Sequence, residues 1–163
     1  MTRSAEPTTV DTNIAVYALS TDERAQRAST VLRDAAFLSV QVLNEFANVG
    51  LRKQGSPWDL VAAQLGALRD AVPHILPVDD QSNGTALRIG ERYRLWFYDS
   101  LMLAVALTGG AHTLNSEDMQ HGLVIDGTLR IVDPFRYRAR MSQFDLTDEQ
   151  RQIQEMARQF TAD

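Results

Sequence analysis

The chain predicts an α/β fold built on a mostly parallel central sheet of short strands, and three features point there. Short apolar or β-branched runs alternate with longer stretches of helical periodicity, the pattern of strands joined by crossover helices. Residues 101–107 are apolar at every position, yet fall far short of the roughly eighteen residues that span a bilayer. They read as a helix buried on all sides. Acids recur after predicted strands and at helix starts, the end of an open α/β sheet where ligands bind.

Taken in order, Thr8-Thr9-Val10 forms a thin first strand that ends at Asp11 and turns into a helix from Ile14. Residues 22–34 read as a solvated helix with Ala25, Ala28, Val31 and Leu32 inward. Residues 36–40 form a second short strand. The helix after it carries Val42, Leu43, Phe46 and Val49 on one stripe, with Glu45 and Asn48 neighbours on another face. Ser56-Pro57-Trp58-Asp59 opens a further helix, with Ser56 as cap and Leu60, Ala63, Ala67 and Leu68 inward. Residues 74–78 contain Pro77 and so suit an edge or terminal strand. Residues 79–94 return to helix. The buried helix starts at Tyr98 with Asp99 in its first turn, and Gly109-Gly110 ends it. Residues 112–115 and 129–132 supply two last strands. This order brings Asp11, Glu45, Asp99 and Asp118 towards one rim.

At 163 residues the chain suits one main domain with a proper core. With no cysteine, disulfides, thiol nucleophiles and zinc–thiolate sites are excluded, which fits a reducing compartment. The N-terminus lacks the apolar run of a signal peptide, so a cytoplasmic protein without membrane attachment is expected. The net charge of −5 argues against a nucleic-acid coat protein. Lys53 is the only lysine among 16 basic residues, a bias that GC-rich codon usage explains.

Clustered carboxylates repel one another unless protons or cations neutralise them. Oxygen-only ligands suit Mg²⁺ or Mn²⁺ rather than zinc, and such ions promote in-line displacement at phosphorus. Thr12, Asn13, Asn115 and Ser116 stand beside the acids as candidates to hold water or phosphate. Composition alone favours a second reading, in which these acids are helix caps and solvated charges.

Four segments shift that balance. Val10-Asp11-Thr12-Asn13, Val42-Leu43-Asn44-Glu45-Phe46, Tyr98-Asp99-Ser100-Leu101 and Asn115-Ser116-Glu117-Asp118-Met119 occur in that order. Together they resemble the signature of PIN-domain ribonucleases, most of all the VapC-like toxins of bacterial toxin–antitoxin pairs. The resemblance implies a three-layer α/β/α fold over residues 1–135. It implies Asp11, Glu45, Asp99 and Asp118 as metal-binding acids, with Glu117 a fifth candidate. The implied activity is Mg²⁺- or Mn²⁺-dependent RNA cleavage by activated water, without a covalent intermediate. The implied partners are an antitoxin protein, whose arginine blocks the acidic rim, and a second copy of the chain. A non-catalytic PIN-like module that binds RNA or protein is the alternative.

Two features depart from that family. The strand before Asp11 is less apolar than is usual there. Residues 136–163 also form an extra segment, in which Thr147-Asp148-Glu149-Gln150 fits a capping box before an apolar stripe of Ile153, Met156, Ala157 and Phe160. From Met141 it resembles the opening helix of an acyl-CoA dehydrogenase, and it is expected to be a fused or read-through piece without catalysis of its own. Elsewhere, His74 and His112 are expected to be structural and His121 a surface-loop residue. Arg88, Arg92 and Arg94 suit a solvated face, and Arg52 and Lys53 suit a helix end or an RNA backbone. Trp58, Trp96 and Tyr98 are expected to pack in the core, with base stacking as the other option. No serine has a His–Asp relay, so a serine hydrolase is excluded.

Overall fold

Thr8 and Thr9 dilute the hydrophobic pattern of the first strand, β1 (Thr8–Val10), and their hydroxyls explain why it still forms. Thr9 Oγ1 donates to the Phe37 carbonyl at 2.7 Å, Thr8 Oγ1 to the Asp34 carbonyl at 3.2 Å, and the Ala36 amide donates back to Thr8 at 2.8 Å. The strand is thus clasped from its open side, and Val10 is fully buried. The computed structural model describes residues 6–136. The expected C-terminal helix, with its acyl-CoA dehydrogenase likeness, lies outside those residues.

Between β1 and the second strand lie α1 (Thr12–Ala18) and α2 (Ala25–Arg33). There follow β2 (Leu38–Ser39), α3 (Val40–Asn48), a π-helical turn over Val49–Lys53, α4 (Trp58–Ala71) and β3 (Ile75–Leu76). The chain continues through α5 (Asp80–Tyr93), α6 (Phe97–Thr108), β4 (Thr113–Asn115), β5 (Val124–Ile125) and β6 (Leu129–Val132). The main sheet has the order β1-β4-β6-β5, parallel except for the β5–β6 hairpin. A parallel pair of β2 and β3 lies beyond the clasp on β1. This is the expected α/β/α fold with a mostly parallel sheet of short strands.

The core forms where the apolar stripes of α1, α2, α3 and α5 meet the sheet and α6. In α6, residues 100–106 are buried without a break, as the uniform apolar run requires. Its end is set by packing: a Cβ on Gly109 would run into Phe37 and Leu76. Gly110 then takes the left-handed turn at φ 74°. No helix among the described residues is long and apolar enough to cross a membrane.

Four expectations need correction. The helix opened by Ser56 begins at Trp58, with Pro57 extended before it and no side-chain cap. Its inward residues are Val61, Leu65 and Leu68, while Leu60, Ala63 and Ala67 are exposed, because alanines on both faces blur the stripe by one position. Arg88 and Arg92 are not merely solvated: both pair with Asp126, at 2.6 and 3.7 Å. Trp58, Trp96 and Tyr98 are not in the core, at 78%, 84% and 62% exposure. Strand β5 was also not expected; Asp126 and Gly127, both at positive φ, make the tight turn that pairs it with β6.

Candidate active site

Asp11 stands where β1 ends and α1 begins, so its carboxylate does double duty as helix cap. Its Oδ1 accepts the Thr12 amide at 2.6 Å. Oδ2 accepts the Ser116 hydroxyl at 2.7 Å and the Asn13 amide nitrogen at 3.2 Å. The parallel β1–β4 pairing brings Ser116 there, since Asp11 N–H donates to the Asn115 carbonyl at 2.9 Å. Asn13 Nδ2 also reaches Asp118 Oδ2 at 3.1 Å, so one amide nitrogen touches both carboxylates.

Glu45 comes from α3. Its Oε2 accepts Thr12 Oγ1 and its Oε1 accepts Gln41 Nε2, both at 2.8 Å. Gln41 lies four residues earlier on the same helix, a neighbour that the helical period makes available. Asp99 occupies the first turn of α6, where the helix N-terminus favours negative charge. Its carboxylate accepts no hydrogen bond among the described residues. These acids, from three helix starts or faces and one loop, line a single open cavity of about 730 Å³. Asn44, Asn48, Lys53, Tyr17 and Tyr98 complete much of its wall.

Not one of the four carboxylates forms an ion pair among the described residues. The electrostatic consequence falls on Asp11, which burial raises from 3.8 to about 6 against the lowering effect of its Ser116 and Thr12 hydrogen bonds. Glu45 and Asp99 add a smaller upward push. Asp99 is also raised, first by burial and then by the charges of Glu45 and Asp118. Mutual repulsion, the cause expected from clustering, is therefore secondary to loss of water.

The other expected residues divide. Thr12, Asn13 and Ser116 position the acids directly. Asn115 does not reach the cavity; its side chain donates to the Thr9 carbonyl at 3.3 Å and ties β4 to β1. Glu117 leaves the group too. Arg24 Nη1 holds it at 2.8 and 3.0 Å, and Tyr17 donates its hydroxyl at 2.5 Å. His121 is occupied as well, its Nδ1 accepting the Asp133 amide at 3.0 Å. Sequence reading missed Gln41, which helical spacing from Glu45 could have shown, and Tyr17 and Arg24, whose contacts to Glu117 span about ninety or more positions and leave no local signal.

The donor set fits a hard divalent cation. It offers carboxylate oxygens, with no thiol in the chain and no histidine on the cavity wall. No three Asp, Glu or His groups among the described residues converge into a ready-made cage. Mg²⁺ does not require one, because it keeps several waters and needs only one or two carboxylates from the protein.

Known proteins share this fold. The DNA-bound VapBC complex of Salmonella typhimurium aligns with a TM-score of 0.60 at 17% identity, covering 79% of this chain and 98% of that one. A toxin–antitoxin complex from Klebsiella pneumoniae aligns at 0.56 and 20% identity, over 78% and 97%. VapC20 of Mycobacterium tuberculosis, a toxin that cleaves the sarcin–ricin loop, aligns at 0.53 and 22% identity, over 66% and 86%. No curated protein sequence matches the chain. The PIN domain family model matches residues 8–123, from β1 to the start of the β5 hairpin and across all four acids. The chain belongs to the PIN domain family.

Proposed function

We propose that the chain is a divalent-metal-dependent endoribonuclease acting as the toxin of a toxin–antitoxin pair. One observation carries this reading: four acids from separate parts of the chain line one cavity, three met only by neutral donors and Asp99 by none among the described residues. Asp11, Glu45, Asp99 and Asp118 would hold Mg²⁺ or Mn²⁺. When bound, such an ion supplies Lewis acidity that activates water and offsets charge at phosphorus. The chain's own groups do the positioning. Ser116, Thr12 and Asn13 fix both oxygens of Asp11, while Thr12 and Gln41 fix those of Glu45. Asp99 keeps both oxygens free of protein donors among the described residues. The neutral donors orient these charges without cancelling them, which leaves the cancellation to a cation.

The named likenesses support an antitoxin partner. An antitoxin protein would restrain the enzyme in the cytoplasm, and a homodimer is the proposed assembly, checked by light scattering at tens of micromolar. Residues 136–163 are proposed as an appendage to the nuclease domain at 1–135. Ending the chain after Arg140 should leave melting temperature and cleavage unchanged; collapse of the fold would place the tail in the core. The central test is cleavage of single-stranded RNA with Mg²⁺, with EDTA and with Mg²⁺ restored. Loss and recovery of cleavage support the reading. RNA binding that survives EDTA, with no cleavage under any condition, would favour a non-catalytic PIN-like module.

A further inference from the structure

An acidic cavity repels the phosphates of the strand it has to hold, so part of its grip on RNA has to come from uncharged contact. The wall offers two aromatic rings, Tyr17 and Tyr98. Tyr17 is already engaged. The Arg24 guanidinium lies 3.8 Å from its ring centroid, Phe135 meets its edge at 84°, and its hydroxyl is spent on Glu117. Tyr98 is 62% exposed, and no hydrogen bond holds its hydroxyl among the described residues. Phe97 packs against it at an interplanar angle of 71°, with centroids 5.6 Å apart, which braces the ring. Tyr98 also precedes Asp99 directly, at the start of a helix whose next turn is buried in the core. An exposed ring on so rigid a base is a platform, not a loose side chain.

We infer that Tyr98 is a base-stacking subsite, which holds an unpaired nucleobase of the RNA strand beside the four-acid cavity. The inference rests on the nuclease reading above and adds the requirement that the substrate be unstacked at the cut. Stacking accepts any base, because every base has a π face, and it draws nothing from the phosphates that the acids repel. Lys53, the one basic residue on the wall among the described residues, is placed to meet the backbone of the same strand. Trp96 is more exposed still but does not line the cavity, so it belongs to another surface.

The test is fluorescence anisotropy of a labelled single-stranded 12-nucleotide RNA in Ca²⁺, together with its abasic counterpart. Tyr98→Ala should bind the RNA roughly ten- to a hundredfold more weakly, and Tyr98→Phe within about threefold of wild type. On the abasic strand, wild type and Tyr98→Ala should bind alike. Trp96→Ala should bind the RNA as wild type does. Unchanged melting temperatures and light scattering would confirm that all variants keep fold and assembly. If Tyr98→Ala loses the same factor on the abasic strand, or instead changes the oligomeric state, the ring serves a protein interface or the fold and the inference fails. If wild type binds and cuts RNA and Tyr98→Ala does both equally well, stacking alone is wrong. If wild type neither binds nor cuts, the nuclease reading falls and takes the subsite with it.

Discussion

Glu117 and Asp118 are adjacent in sequence and opposite in situation. Glu117 turns to Arg24 and Tyr17, which meet its charge with a guanidinium and a hydroxyl. Asp118 faces the cavity and receives only the Asn13 amide. The same division runs through the described residues: Asp22 and Asp126 have arginines there, whereas Asp11, Glu45 and Asp99 have none. Arginine is abundant in this chain and is placed within reach of the 116–118 loop, yet among the described residues none pairs with the cavity acids. Asp22, Glu117 and Asp126 find their countercharge inside the fold. Under the proposed function, the cavity acids would take theirs from a bound cation.

The division can be broken most directly by removing one charge on each side. Asp99→Asn keeps the shape of the side chain, and RNA cleavage should fall by about three orders of magnitude or more, since metal affinity and charge stabilisation both depend on the lost charge. Asp126→Asn loosens the hairpin staple to Arg88 and should leave cleavage within about twofold at permissive temperature. Equal losses in initial-rate assays would erase the distinction.

The two sets also pull stability in opposite directions with pH. The folded value of Asp11 is raised from 3.8 to about 6, so its contribution is fully present below pH 3.8 and is lost as pH rises towards about 6. The full shift corresponds to on the order of 3 kcal/mol. Asp99 shifts the same way. Asp22, lowered to about 2 by Arg24, has the opposite sign: its stability is present above its ordinary value and lost as pH falls through about 2. Metal-free Asp11→Asn should therefore melt close to wild type at pH 4 and above it at pH 7. Parallel melting curves across that range would mean that Asp11 carries no buried charge.

A cation should relieve the same strain. At a hundred times its dissociation constant, Mg²⁺ stabilises the native state by about 2.7 kcal/mol, so the wild-type melting temperature should rise by several degrees. Asp99→Asn should respond much less. A wild-type protein whose melting is indifferent to both Mg²⁺ and Mn²⁺ would count against the site.

Much of this was legible in the sequence, and the exceptions have physical causes. The uniform apolar run around Leu103 could only be a buried helix, and parallel strands carried Asp11 and Asp118 to one end of the sheet. The four short segments could be read because each packs its chemistry into a few consecutive residues. What stayed hidden was pairing across distance. The fate of Glu117 depends on Arg24, and that of Arg88 on Asp126, and neither pair shares a helical turn. Aromatics misled for a different reason. Trp96 and Tyr98 have the composition of core residues, and their place at the start of α6 leaves both exposed, Tyr98 alone of the two on the cavity wall.

The smallest effect is expected at Arg24, and it tests whether the satisfied side of the comparison supports the unsatisfied one. Arg24 joins Asp22 and Glu117 and stacks on Tyr17, so Arg24→Ala removes two ion pairs and a cation–π contact. These groups are partly solvated, and the loss should be about 1 kcal/mol, read as a drop of a few degrees in melting temperature. The consequence for the site runs through three consecutive residues. Ser116 holds Asp11 at 2.7 Å, Glu117 is the anchor, and Asp118 faces the cavity. Freed of Arg24, the loop keeps the Ser116 and Asn13 contacts but loses the charge that fixes its outer side. The Mg²⁺ concentration for half-maximal cleavage should rise by up to about tenfold, while the rate at saturating metal stays near wild type. Arg24→Lys keeps the charge without the planar fork that meets two carboxylates at once, and should lie between the two. If Arg24→Ala lowers the melting temperature and leaves the metal midpoint unmoved, the latch serves the fold alone and the two halves of the loop are independent.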